Sequence, residues 1–224
     1  MNFEQARFNM IEQQIRPWDV LDQDVLTLLS VVRREDFVPA AWVESAFADT
    51  EIPLVEGGPA EQKGRVMLQP KVEARLLQEL RVGPEERALE VGAGSGYFAA
   101  LLAHRARQVH TMEIDEALAS TAFDNLRRAG MVNVNVVPGD GSKGLANAAP
   151  FDVIVLSGSV PQVPALLLDQ LKIGGRLAAI VGQPPVMRAV IHTRIDAQHW
   201  RQTVLFDTLA PRLLGFPEPS KFQF

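Results

Sequence analysis

Cysteine is absent from the 224 residues, which excludes a disulfide framework and any thiolate metal site. A chain without thiols suits a reducing compartment. Long hydrophobic runs are also missing: Gly or Pro breaks each one far below the ~20 residues that a bilayer-spanning helix needs. The opening stretch, Met1 to Trp18, scatters charges among its apolar residues and has no leader-like apolar block. These absences lead us to expect a soluble protein of the cytoplasm. No basic block follows a phosphate backbone, and the formal charge is −5, so neither nucleic acid nor a membrane is an expected partner. Internal repeats and low-complexity tracts are lacking. His104, His110, His192 and His199 fall on separate segments, so neither a metal site nor a histidine-based triad is expected.

What is present begins with an apolar fraction of 47%, enough to bury a full core. The first third is helical by pattern. Phe8, Ile11 and Ile15 share a face before Pro17, and Asp22 is placed to cap a helix with the stripe Val25, Leu28, Leu29 and Val32. Ile52 to Gln69 reads as a loop rich in glycine and charge, with Gly57 to Arg65 expected to be its most mobile part. Pro70 suits a first helical turn, followed by the stripe Val72, Leu76, Leu77 and Leu80. This helical region is expected to cover the carboxyl ends of the strands that come next.

From Arg87 onward, strands alternate with helices. Strands are expected at Arg87 to Val91, Val109 to Ile114, Val132 to Val137, Phe151 to Leu156 and Arg176 to Val181. Between them lie helices carrying Phe98, Leu101 and Leu102, then Leu118, Ala122 and Leu126, then Leu166 to Leu171, with Gly174-Gly175 as a turn. Such alternation predicts a parallel sheet covered on both faces, and the continuously apolar Phe151 to Leu156 belongs at its centre. Two late strands, Val186 to Ile195 and Trp200 to Asp207, are joined by a short connection and make an antiparallel edge. The fold class is therefore α/β. By analogy of layout, it is a seven-stranded, mostly parallel methyltransferase sheet with helices on both faces and an N-terminal helical lobe. We divide it into residues 1–82, the helical lobe with the substrate loop, and residues 83–224, the cofactor-binding core with its C-terminal hairpin.

The most informative segment is Glu90-Val91-Gly92-Ala93-Gly94-Ser95-Gly96-Tyr97, which ends a strand and opens a helix. Its N–H groups are expected to point into the crevice above the sheet. A dinucleotide turn would need its third glycine at position 97, which is tyrosine. Glu90 would repel a pyrophosphate but suits an amino acid that bears a sulfonium. Glu113, about 20 residues on, is placed to accept both ribose hydroxyls. Asp140, within Gly139-Asp140-Gly141, is placed to accept from an adenine amino group, and Ser157 faces the same crevice. S-adenosylmethionine is the expected cofactor, held by Glu90, Gly92, Ala93, Gly94, Ser95, Gly96, Glu113, Ile114, Gly139, Asp140, Gly141 and Ser157. The plainer alternatives are a helix cap for Glu90, a solvated strand end for Glu113, and a tight turn held by Asp140.

Six spaced segments then resemble the protein-L-isoaspartate O-methyltransferases. They are Met10 to Ile15, Arg34-Glu35-Asp36-Phe37-Val38-Pro39, Ala48-Asp49 with Ile52-Pro53-Leu54, Gln69-Pro70, Ala88 to Tyr97, and Pro150 to Val155. The resemblance implies methylation of a carboxylate on damaged, isoaspartyl protein. It departs from the family in Val66-Met67-Leu68-Gln69-Pro70, where Leu68 stands at the position of a serine that helps to hold the substrate carboxylate. Leu68, Gln69 and Ser159 are the expected substrate-side residues, and no catalytic residue is assigned. A carboxylate nucleophile is ionised at neutral pH and needs no general base. Leucine cannot donate to it, so weak isoaspartyl methylation is expected unless Ser157, Ser159, Arg65 or Lys63 compensates. The alternatives are a methyltransferase for another acceptor, such as a small molecule, or a non-catalytic S-adenosylmethionine-binding module.

Overall fold

The structure is a computed structural model that describes residues 1–58, 62 and 64–218. Lys63 and most of the Gly57 to Arg65 loop's centre, for which mobility was expected, lie outside the described residues. The chain opens with α1 (Phe3–Met10), a π-helical turn over Ile11–Ile15, and α2 (Gln23–Val31), whose N-terminus the Asp22 carboxylate caps. The π turn corrects the first helix. Its wider winding shifts the phase, so Met10, Ile11 and Ile15 face inward while Phe8 is 58% exposed. Two 3-10 segments, Arg34–Phe37 and Ala40–Phe47, lead into the loop. That loop is pinned at its base: β1 (Ile52–Pro53) pairs antiparallel with β2 (Val66–Met67). Helix α3 (Pro70–Leu80) follows, with Val72, Leu76, Leu77 and Leu80 buried as the spacing predicts.

The core then runs β3 (Arg87–Val91), α4 (Tyr97–Ala103), β4 (Gln108–Glu113), α5 (Glu116–Arg128), β5 (Val134–Pro138), β6 (Phe151–Val160), α6 (Ala165–Asp169), β7 (Leu171–Gln183), β8 (Val186–Arg194) and β9 (Trp200–Asp207). The seven main strands are ordered β5-β4-β3-β6-β7-β8-β9, parallel as far as β7 and antiparallel from β7 to β9. Strand order reverses between β3 and β6, so a crevice opens above the carboxyl ends of these two strands. β6 and β7 are longer than their apolar runs. Leu171 starts β7 rather than ending a helix, and Gly174-Gly175 forms an excursion within that strand, where its register on β6 jumps. At its far end β6 extends to Val160, because the chain after β9 returns to pair with it. Ser159 N–H donates to Pro211 O and Leu213 N–H to Ser159 O.

One face of the sheet and the N-terminal helices share a single apolar cluster, in which Leu29, Leu76 and Leu77 join Ala88, Val153 and Ile180. The helices thus cover a face, and it is the loop residues around Leu54 and Val66 that reach over the strand ends. The opposite face buries Leu89, Ile154, Leu156 and Leu177 under α6. Among the described residues, no helix is long and apolar enough to cross a membrane.

Candidate functional site

A narrow cleft lies above the carboxyl ends of β3, β4 and β6. Of the residues singled out in the sequence, Gly92, Gly94, Glu113, Ile114, Gly139, Gly141 and Ser157 line it. A smaller recess beneath the glycine turn adds Glu90, Ala93, Ser95 and Leu68. Gly96 lies apart from both. With φ at +84°, it starts α4 where a Cβ would press within 3.1 Å of Leu126, so this glycine permits close helix packing. Gln69 lines a separate cavity beside Trp18 and Lys71. Ser159 is fully buried, with its backbone tied to the returning tail.

The turn's amides differ from expectation. Gly92 and Ala93 both donate to Met112 O, Gly94 donates to Glu113 Oε2 at 2.9 Å, and Gly96 donates to Ala93 O. A loop that spends its N–H groups internally is no phosphate cradle. Its glycines instead let side chains close in: at Gly92, whose φ is +96°, a Cβ would meet Leu213 Cδ2 at 2.9 Å.

Acidic groups dominate the polar chemistry. Glu90 is 0% exposed and caps no helix. Its carboxylate accepts from Thr111 Oγ1 at 2.6 Å and Ser157 Oγ at 2.7 Å. Burial pushes its pKa up to about 7 against those two hydrogen bonds, and the neighbouring Glu113 adds to the rise. Such a carboxylate is best satisfied by a cation. Glu113 is buried rather than solvated, and also accepts from Asp115 N–H at 3.1 Å. Asp140 accepts from Ser142 N–H at 2.8 Å, so the turn-holding role is real for this residue.

Several residues that line or support the site escaped the sequence reading. Thr111 sits opposite Glu90 across the ladder, and a hydroxyl within an apolar strand was its only signal. Leu54 packs against the glycine turn, where a Cβ on Gly94 would meet it at 3.1 Å. Arg212, Leu213 and Leu214 arrive from the tail through long-range pairing that no local pattern records. Of the residues that could compensate for Leu68, Ser157 is engaged with Glu90, and Arg65 Nε donates to Asp115 Oδ2 at 2.7 Å.

A seven-stranded sheet with a reversed edge hairpin, whose acids end adjacent strands around a glycine turn, defines the S-adenosylmethionine-dependent methyltransferase class. The family profile for protein-L-isoaspartate(D-aspartate) O-methyltransferase matches residues 5–207. A protein-L-isoaspartate O-methyltransferase of Koribacter versatilis is 38% identical over 209 residues, covering 93% of this chain and 90% of that one. Its counterpart in Herpetosiphon aurantiacus is 38% identical over 213 residues, covering 95% and 92%. A solved protein-L-isoaspartate O-methyltransferase superposes with a TM-score of 0.81 at 23% identity, covering 93% of this chain and 66% of that one. Another, from Plasmodium falciparum and in complex with S-adenosyl-L-homocysteine, gives 0.74 at 19% identity. The chain belongs to the protein-L-isoaspartate O-methyltransferase family.

Proposed function

We propose that the protein transfers the methyl group of S-adenosylmethionine to the carboxylate of isoaspartyl residues in damaged proteins. The observation that carries this reading is the pairing of two buried acids, Glu90 and Glu113, across the glycine turn of a chain that matches the family over most of its length. The cofactor supplies a methyl group on a positively charged sulfur. Glu90, with Gly92, Ala93, Gly94 and Ser95, would hold the amino-acid end. Glu113 and Ile114 would hold the ribose, Gly139, Asp140 and Gly141 the adenine, and Ser157 would keep Glu90 in place. Residues 1–82 would supply the acceptor side through Leu68 and, further out, Gln69, and the core would add Ser159. The acceptor brings its own ionised oxygen, so alignment and exclusion of water are what the protein contributes. The cysteine-free composition supports action in the cytoplasm, and the lack of a basic block supports an acceptor other than nucleic acid. A different acceptor, or a non-catalytic cofactor-binding module, is not favoured by a family relationship that spans the chain.

Two measurements test this reading. Incubation with methyl-labelled cofactor and an isoaspartyl peptide should move label to the peptide, while the matching aspartyl peptide stays unlabelled. Equal labelling of both would defeat the isoaspartyl assignment. Affinity for S-adenosylmethionine should also rise between pH 6 and pH 8. A cation is bound better by ionised Glu90, whose pKa in the free protein lies near 7, so binding strengthens as the proton leaves. Calorimetry showing affinity that falls over that interval would mean that Glu90 does not face the cation.

A further inference from the structure

Glu73, in the first turn of α3, has no part in the cofactor site described above, yet it lines the same recess as Leu68, Glu90 and Ser157. It is 5% exposed, and its Oε2 is buried without a hydrogen-bond partner. It forms an ion pair with the Arg34 guanidinium, whose Nε lies 4.0 Å from Glu73 Oε2, beyond hydrogen-bond reach. Arg34 spends its other nitrogens on Ala46 O and Leu68 O, so one guanidinium lies against both Leu68 and Glu73. A buried acid without a hydrogen-bond partner at Oε2 therefore sits beside the leucine that replaces the family's carboxylate-holding serine.

We propose that Glu73, as the neutral carboxylic acid, donates a hydrogen bond to the acceptor carboxylate and so performs the holding role that Leu68 cannot. The inference rests on the isoaspartyl reading above. Two carboxyl groups that share one proton make a short, charge-assisted hydrogen bond, stronger than a serine hydroxyl provides. The proton stays on Glu73 and contacts one acceptor oxygen. The other oxygen forms the new bond to the methyl carbon as the carbon–sulfur bond breaks and its electron pair remains on sulfur. No proton is transferred, so the step balances without a base.

The surroundings favour the neutral form. Burial is the largest influence and pushes the Glu73 pKa up to about 8, with Glu90 adding to the rise and Arg34 opposing it. The groups facing it are Arg34 from the 3-10 segment, Glu90 from β3 and Tyr97 from α4, with the Arg7–Glu35 pair further out. At pH 7 the donor is present, and it is lost as pH rises through about 8.

The test is the pH profile of methyl transfer to an isoaspartyl peptide by the wild type, Glu73→Gln and Glu73→Leu. It counts ester and released methanol together, with S-adenosylhomocysteine affinity measured in parallel. Wild-type kcat/KM should fall about tenfold per pH unit above about pH 8. Glu73→Gln, whose amide still donates, should keep a tenth or more of the wild-type rate at pH 7 and lose the alkaline fall. Glu73→Leu should lose roughly 10- to 100-fold with S-adenosylhomocysteine affinity within about threefold, as expected for one lost hydrogen bond to a charged group. An alkaline fall that persists in Glu73→Gln, or full activity in Glu73→Leu, overturns the proposal. If the wild type transfers no methyl at any pH, the isoaspartyl reading fails instead. Peptide binding to the S-adenosylhomocysteine complex then decides Glu73: binding that weakens above about pH 8 and is lost in Glu73→Leu upholds the contact, and pH-independent or absent binding ends it.

Discussion

Replacing Arg34 with alanine should cost about 3–5 kcal/mol of stability, the scale seen when a buried charged group is removed from its partners. Arg34 is 1% exposed and donates to Ala46 O at 2.9 Å and Leu68 O at 2.8 Å. It also lies 5.9 Å from the Tyr97 ring centroid. Its loss would leave two buried carbonyls without donors and a cavity between the lobe and the glycine turn. For a chain of this length, the melting temperature should drop by roughly 6–20 °C. Arg34→Lys, which keeps the charge but loses the fork, should fall in between. Leu68 and Glu73 both lean on this guanidinium, so isoaspartyl methylation should fall in both variants even below the melting transition. A melting temperature within about 2 °C of wild type for Arg34→Ala would mean that the loop is held by something else.

Glu113→Ala should weaken cofactor binding by about 1–3 kcal/mol, since a carboxylate that accepts ribose hydroxyls makes charged hydrogen bonds. That is roughly a 5- to 150-fold rise in Kd. The carboxylate also anchors the glycine turn through Gly94 N–H, so part of the loss would come from a looser turn. Glu113→Gln separates the two effects: its amide oxygen still accepts one bond, and the drop should be smaller. Calorimetry with S-adenosylhomocysteine reads both. Unchanged affinity in Glu113→Ala would remove the ribose role.

The sequence by itself determined the sheet, its hairpin edge and the positions of the acids at the strand ends, because these follow from short-range regularities. A period of two or 3.6 fixes which residues turn inward, and a glycine turn after a strand marks a crevice wherever that strand lies. Glu90, Glu113 and Ser157 were legible for that reason, as were the stripes of α2 and α3. The face of α1 was misread because a π turn changes the winding at Ile11, and five residues carry no marker of that. What only the tertiary structure decided depends on contacts between distant residues. Gly92 and Ala93 give their amides to Met112 on a neighbouring strand, and the tail from Pro211 to Leu213 returns to line the cleft. Glu73 carries no local mark that separates it from the other polar positions of an amphipathic helix. Whether such a glutamate is a solvated surface group or a buried acid beside Leu68 depends on what packs over it. Arg34, about 39 residues earlier in the chain, and Glu90, about 17 residues later, meet it only when the lobe closes on the sheet, and desolvation there sets its charge.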